Sequence, residues 1–140
     1  MYRPPKARKE YDKLQKDKNY TEKCVFCSSN RHKILKENQH FYVTENIFPY
    51  TIWDHFGVAE HLLLVPKRHV EGVAELTDSE SKSYMKLLRE YEKQDYNYFA
   101  RAPVNEKKTV AHQHTHLIKV DKREKNFLIY VKRPHIHWHD

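Results

Sequence analysis

The chain has 140 residues and a formal net charge of +7 with its histidines neutral, which suits one compact domain with a single core. Its two glycines, Gly57 and Gly72, cannot form a phosphate-cradling P-loop or a dinucleotide fingerprint, so any phosphate here is held by side chains. The basic balance attracts anions in general, but no basic run alternates with aromatics as in a nucleic-acid reading module. No stretch approaches membrane-spanning length.

Residues 1–23 are basic and poor in aliphatics, and form an N-terminal arm or helix. Within them, 8–18 reads as a surface helix anchored by Tyr11 and Leu14, or else as an unanchored arm. The main domain is expected over 24–134, with a histidine-rich tail over 135–140. Residues 41–47 are β-branched and aromatic and read as a strand. Phe48-Pro49-Tyr50 interrupts it, and 51–53 reads as a second, short strand. Residues 61–66 form a continuous apolar run, the pattern of a strand buried on both faces, closed by Pro66. Thr77 and Glu80 are spaced for a capping box, and Tyr84, Leu87, Leu88 and Tyr91 follow at i, i+3, i+4 and i+7, predicting a helix. Residues 96–100 and 111–120 read as strands, and 127–131 as a last strand or extended tail. The sum is an α+β fold, an antiparallel sheet of about five strands with one long helix packed on it.

Three groups of residues carry chemistry. In Ala111-His112-Gln113-His114-Thr115-His116-Leu117-Ile118, three histidines recur at period two. On a strand they share one face at ~7 Å spacing, within reach of both a phosphate and a neighbouring metal. A merely polar sheet face is the alternative in a chain with 11 histidines. Cys24-Val25-Phe26-Cys27 offers two thiolates at zinc-ligand spacing, with the other two ligands to come from elsewhere. A thioredoxin-like redox pair is the rival reading, and it lacks the strand that should precede it. Many histidines could complete a zinc site, and composition does not choose among them. The third group, His61-Leu-Leu-Leu-Val-Pro-Lys-Arg-His69, places one histidine within a buried strand and one at its rim, with a core histidine satisfied by backbone carbonyls and a solvated loop histidine as the respective alternatives. Two cysteines in one CxxC, with no signal peptide, point to a reducing compartment, the cytoplasm.

Together these residues resemble the histidine triad (HIT) superfamily, whose signature is His-x-His-x-His followed by two apolar residues. His112-Gln-His114-Thr-His116-Leu-Ile matches it, the strand ending in Pro-Lys-Arg-His69 is similar to the family's third strand and its exit, and the CxxC is similar to its zinc-containing branches. The resemblance implies a HIT-like fold. It also implies a structural Cys2His2 zinc site of Cys24, Cys27, His69 and His112. His114 would then attack the α-phosphorus of a nucleotide, His116 would bind phosphate oxygens and handle the leaving-group proton, and His61 would support the pocket. The implied activity is hydrolysis or nucleotidyl transfer on a dinucleoside polyphosphate or nucleoside phosphoramidate through a nucleotidyl-histidine intermediate. The expected partners are a small nucleotide substrate and, as in many relatives, a second copy in a homodimer.

Some positions depart from the family pattern. Arg101 falls where many relatives have a phosphate-contacting Asn; either Asn105 nearby replaces that Asn, or Arg101 itself grips the phosphate bidentately. The usual Gly- and Ser-containing loop is here 105–109, in which Lys108 and its neighbour Lys107 favour a substrate with more phosphates or are simply solvated loop lysines, and Thr109 keeps a hydroxyl. Asp54 is a candidate for the ribose hydroxyls, with a surface turn as its alternative. The tail carries a second histidine row, His135, His137 and His139, read as a cover over the pocket, a subunit contact or a chance metal binder. Two other functions stay open: a nucleotide-binding module with weak catalysis, and a deadenylase acting on adenylated nucleic-acid ends.

Overall fold

The computed structural model describes residues 3–16, 24–27 and 33–124. The elements run α1 (Pro5–Gln15), β1 (Ile34–Glu37), β2 (Phe41–Glu45), β3 (Ile52–Trp53), β4 (Phe56–Pro66), α2 (Asp78–Glu92), β5 (Asn97–Ala100) and β6 (Thr115–Glu124). A short 3-10 turn at Val73–Glu75 precedes α2. The strands form one antiparallel sheet in the order β1-β2-β4-β6-β5, with β3 paired to the far end of β4. This is the expected α+β architecture, with α2 crossing over one sheet face between β4 and β5. Among the described residues, no helix is long and apolar enough to cross a membrane.

Strand alternation separates the two sheet faces. Leu62 and Leu64 of β4, Phe41 and Val43 of β2 and Leu117 of β6 pack with Leu87, Leu88 and Tyr91 of α2. Each such leucine contributes about 1.5–3 kcal/mol by leaving water. The helix starts as its sequence dictates: the Thr77 hydroxyl accepts from Glu80 N–H, and the Glu80 carboxylate accepts from Thr77 N–H at 2.8 Å. On the opposite face lie Tyr42, Leu63 and Val65, against which Phe26 packs. The intervening positions of β4 and β6 put His61 and His116 on that same face. The register pairs Leu63 with His116 and His61 with Ile118, so the two histidines are diagonal neighbours.

Three expectations change, and one strand, β1, is not foreseen. β4 begins at Phe56 rather than at 61, because 56–60 pair with β3 and β6 at lower burial. β1 carries no alternation and all four of its residues are exposed, so it is invisible to pattern reading. The N-terminal helix spans Pro5–Gln15 rather than 8–18, with proline in its first turn, where the missing N–H costs nothing. The strand expected over 111–120 starts at Thr115 and runs to Glu124. Ahead of it the chain bends, and Gln113 N–H donates to Val70 O at 2.7 Å outside the ladder. His112 and His114 therefore lie before the strand, not on it. The expectations for 127–131 and for the tail at 135–140 fall outside the described residues.

Candidate functional site

The bend at 111–114 sends neighbouring histidines to two different sites. His112 is buried to 1 % exposure and turns toward the CxxC. Cys24 and Cys27 sit in a turn closed by Cys27 N–H to Cys24 O at 3.2 Å, tied to the sheet by Tyr42 Oη donating to Phe26 O at 3.1 Å. His112 Nδ1 lies 3.2 Å from Cys24 Sγ and 3.4 Å from Cys27 Sγ, and His69 Nδ1 lies 3.3 Å from Cys27 Sγ. All four ligand atoms fall within 4.8 Å of one another. Two thiols and two imidazoles converging in this way could hold a metal ion and would fill a tetrahedral shell.

The second ring nitrogen of His112 supports that fit, since Nε2–H donates to Pro66 O at 2.9 Å. This fixes the tautomer that turns the Nδ1 lone pair toward the thiols, as a carbonyl partner does for metal-bound histidine. Burial foremost holds the His112 imidazole down at about 4, so it is neutral and able to ligate. Burial also raises the Cys27 thiol to about 11, with the hydrogen bond and charge of Cys24 adding to it. A bound cation would oppose that rise. His69 is positioned by its neighbour Arg68, which grips Glu80 at 2.9 and 2.7 Å and Glu75 O at 2.7 Å. The loop after β4 is thereby tied to the start of α2.

His114 has the opposite tautomer. Its Nδ1–H donates to the His112 carbonyl at 2.9 Å, leaving the Nε2 lone pair. Its ring lines a cavity of about 480 Å³, with Phe26 at 5.3 Å and His116 at 5.2 Å between ring centres. Burial is the main cause that lowers its basicity, and Lys108 and Arg101 act in the same direction, against the bond to the carbonyl. A neutral ring with a free lone pair is the nucleophilic form.

His116 and His61 form a relay whose direction is set by the backbone. Tyr50 N–H donates to His61 Nδ1 at 3.0 Å, so the proton of neutral His61 sits on Nε2. That Nε2–H donates to His116 Nδ1 at 2.8 Å, so His116 carries its own proton on Nε2. Asn46 Nδ2 lies 3.1 Å from His61 Nε2 and 3.5 Å from its Nδ1. Burial chiefly, then Arg3 and His114, lowers His61 to about 3. Burial, then His114 and His61, lowers His116 to about 2. Both rings are therefore neutral near pH 7. His116 is clamped in a stack, with Phe99 at 4.4 Å and 8° and Tyr50 at 5.8 Å, and Trp53 continues it behind Phe99 at 4.8 Å.

Of the substrate-binding candidates, Arg101, Lys108 and Thr109 line the cavity with His114 and His116. Lys108 Nζ also donates to Glu71 O, and to Gln113 Oε1 at 3.3 Å. Asn105 is not in the lining. It shapes the loop, its side-chain oxygen accepting from Lys107 N–H at 3.0 Å and its carbonyl from Lys108 N–H at 2.8 Å. Asp54 is also outside the lining and occupies the β3–β4 turn with φ 47°, the left-handed backbone that Asp tolerates in tight turns. His61 stands behind His116 rather than in the cavity wall. Sequence reasoning missed Arg3, Arg8 and Tyr11, which line the cavity from the N-terminal segment, and Asn46 and Tyr50, which orient His61. Tyr50 acts through its backbone, which no side-chain motif can signal.

The family model for the HIT domain matches residues 28–123, so Cys24 and Cys27 lie just outside the matched stretch. Among solved structures, a HIT family hydrolase from Clostridium thermocellum is 24% identical, with 76% of this chain and 98% of that one covered and a TM-score of 0.56. A histidine triad nucleotide-binding protein from Candida albicans is 20% identical over 84% and 87%, with a TM-score of 0.54. A hypothetical protein from Leishmania major is 19% identical over 79% and 82%, with a TM-score of 0.59. These likenesses are of fold. No curated protein matches the chain.

Proposed function

This chain belongs to the histidine triad family, and on that premise we propose that it cleaves nucleotide conjugates at the α-phosphate through a nucleotidyl-His114 intermediate. Dinucleoside polyphosphates and nucleoside phosphoramidates are the substrate classes. The observation that carries this reading is the His114 tautomer, protonated on Nδ1 by its bond to the His112 carbonyl in the wall of a cationic cavity.

In the first step the Nε2 lone pair of His114 forms a bond to the α-phosphorus. The bond from phosphorus to the leaving group breaks, and its electron pair leaves with that group. The imidazole ring becomes cationic, and the His112 carbonyl already faces the nitrogen that carries the proton, so no reorganisation is needed at that moment. His116 donates Nε2–H to a phosphoryl oxygen or to the departing atom, in a direction fixed by His61 and Tyr50 N–H. Arg101 and Lys108 offset charge on the phosphoryl oxygens. In the second step water, or another acceptor, attacks the same phosphorus, and its proton passes to a phosphoryl oxygen and on to solvent. The N–P bond breaks with its electron pair returning to Nε2, and a nucleoside 5′-monophosphate leaves with His114 neutral again.

Cys24, Cys27, His69 and His112 would hold a zinc ion, which in this closed donor set supplies structural cross-linking. The His112 carbonyl that orients His114 belongs to one of these ligands, so the residues of the metal cluster brace the nucleophile.

Turnover of diadenosine polyphosphates and adenosine 5′-phosphoramidate in water labelled with heavy oxygen tests the reading. The label should enter the adenosine monophosphate. Its appearance in the departing fragment instead, or no turnover across the panel, would overturn it.

A further inference from the structure

We infer that the N-terminal segment carrying Arg3, Arg8 and Tyr11 forms a second anion subsite, one that takes the phosphate chain of the leaving group. It selects dinucleoside polyphosphates over phosphoramidates. This deepens the function proposed above and rests on it for the location of the scissile phosphorus, while the subsite itself can be measured without turnover.

The segment is fastened to the cavity rather than to the sheet. Arg3 Nε donates to Phe48 O at 2.9 Å, and its guanidinium carbon lies 4.7 Å from the Tyr11 ring and 4.6 Å from the Tyr50 ring. Tyr11 meets Phe48 edge-on at 5.2 Å and shares a hydrogen bond with the Thr109 hydroxyl. α1 therefore bridges the loop after β2 and the loop before the triad, and closes one side of the cavity. A guanidinium held at two ring faces has lost most of its rotamer freedom before any ligand arrives, and its fork keeps four N–H donors beyond the Nε bond. Arg8 lies one turn before Tyr11 on the same helix face, paired only loosely with Asp12 at 3.5 Å.

Charge points to the ligand. Among the described residues, the cavity wall holds Arg3, Arg8, Arg101, Lys107 and Lys108 against a single carboxylate, Glu106. A phosphoramidate brings one negative charge to this wall, which leaves the cations repelling one another. A bridging chain of several phosphates matches them. Size points the same way. A volume of about 480 Å³ lies within the small-ligand range of about 300–1,000 Å³, and with α1 across one side it takes a nucleotide and its phosphate chain rather than a duplex end.

The test is calorimetric binding of inorganic tripolyphosphate to the full chain and to three variants, Arg3→Ala, Arg8→Glu and Lys86→Ala. Lys86 is an exposed cation on α2, remote from the cavity, and controls for the general field. Tripolyphosphate should bind the parent chain, Arg8→Glu and Arg3→Ala should each weaken it by about tenfold, and Lys86→Ala should change it less than twofold. In turnover, Arg8→Glu should lower the preference for diadenosine tetraphosphate over adenosine 5′-phosphoramidate by a similar factor. Equal tripolyphosphate affinity in parent and Arg8→Glu, an equal loss in Lys86→Ala, or tighter binding of nicked duplex DNA than of tripolyphosphate would each overturn the subsite. Turnover without Arg8-dependent binding sinks this inference alone. Arg8-dependent binding without turnover sinks the hydrolase reading and leaves the anion subsite standing.

Discussion

His112 and His114 are separated by one residue, yet they serve two sites of opposite character. His112 gives its Nε2–H to Pro66 O and aims Nδ1 at two thiols. His114 gives its Nδ1–H to the His112 carbonyl and keeps Nε2 for the cavity. The proposed ligand and the proposed nucleophile thus differ by which nitrogen a backbone carbonyl occupies, not by residue type. A carbonyl fixes the tautomer without adding negative charge, so the cavity stays cationic for a phosphate. The two sites are also coupled in one direction, because the carbonyl that orients His114 belongs to His112, one of the four residues that could hold the metal.

The largest expected effect falls on the reacting side. His114→Ala should lower kcat by about 10⁴-fold or more, as loss of a covalent nucleophile does, with melting temperature and metal content unchanged. Retained turnover in that variant would break the distinction between the two histidines. Next comes the metal side. Cys24→Ala should abolish stoichiometric zinc and lower the melting temperature, by about 4 °C for each kcal/mol of metal-linked stability lost. Activity should decline only as His112 loses its place. A Cys24→Ala protein with full zinc and an unchanged melting curve would show that the donor set holds no ion.

A smaller effect sharpens the reacting side. His61→Phe keeps an aromatic ring but removes the donor to His116 Nδ1. It should cost about 10²-fold in kcat, the low end of general acid–base contributions, with KM for the same substrate moving far less. Equal loss in kcat and in melting temperature would make His61 a packing residue only.

The smallest effect concerns the tie behind His69. The Arg68 bonds first, then the Thr77 N–H, hold the Glu80 carboxyl at about 2, below its ordinary 4.5. A carboxyl whose folded value is depressed stabilises fully above its unfolded value and loses that contribution as pH falls toward the folded one. The stability margin of the parent over Glu80→Gln should therefore be complete above pH 4.5 and vanish as pH falls to about 2. Melting curves across that window would read it. A margin that does not change with pH would remove the ion pair from the support of His69.

Much of this was legible in the sequence because it rests on local chemistry. The Thr77–Glu80 box, the apolar spacing of α2, the run ending in Pro66 and the histidine row are short patterns with direct physical causes. The placement of Cys24 and Cys27 against His69 and His112 followed from family resemblance, not from spacing. What was hidden depends on long-range contacts. The chain bends at Gln113 because its N–H finds Val70 O, so a row that reads as one strand face divides between two sites. Arg3 and Tyr11 reach the cavity only because Phe48, Tyr50 and Thr109 receive them. Asn105 reads as a phosphate ligand by its type, yet its side chain is used to cap its own loop.

The most direct test is to quench the 140-residue chain during turnover of a diadenosine polyphosphate and map the nucleotidyl adduct by peptide mass spectrometry. The account predicts an acid-labile adenylyl group on His114, absent from His114→Ala and never on His112. An adduct on His112 or His116, or steady turnover with no protein-bound nucleotide at any quench time, would contradict it.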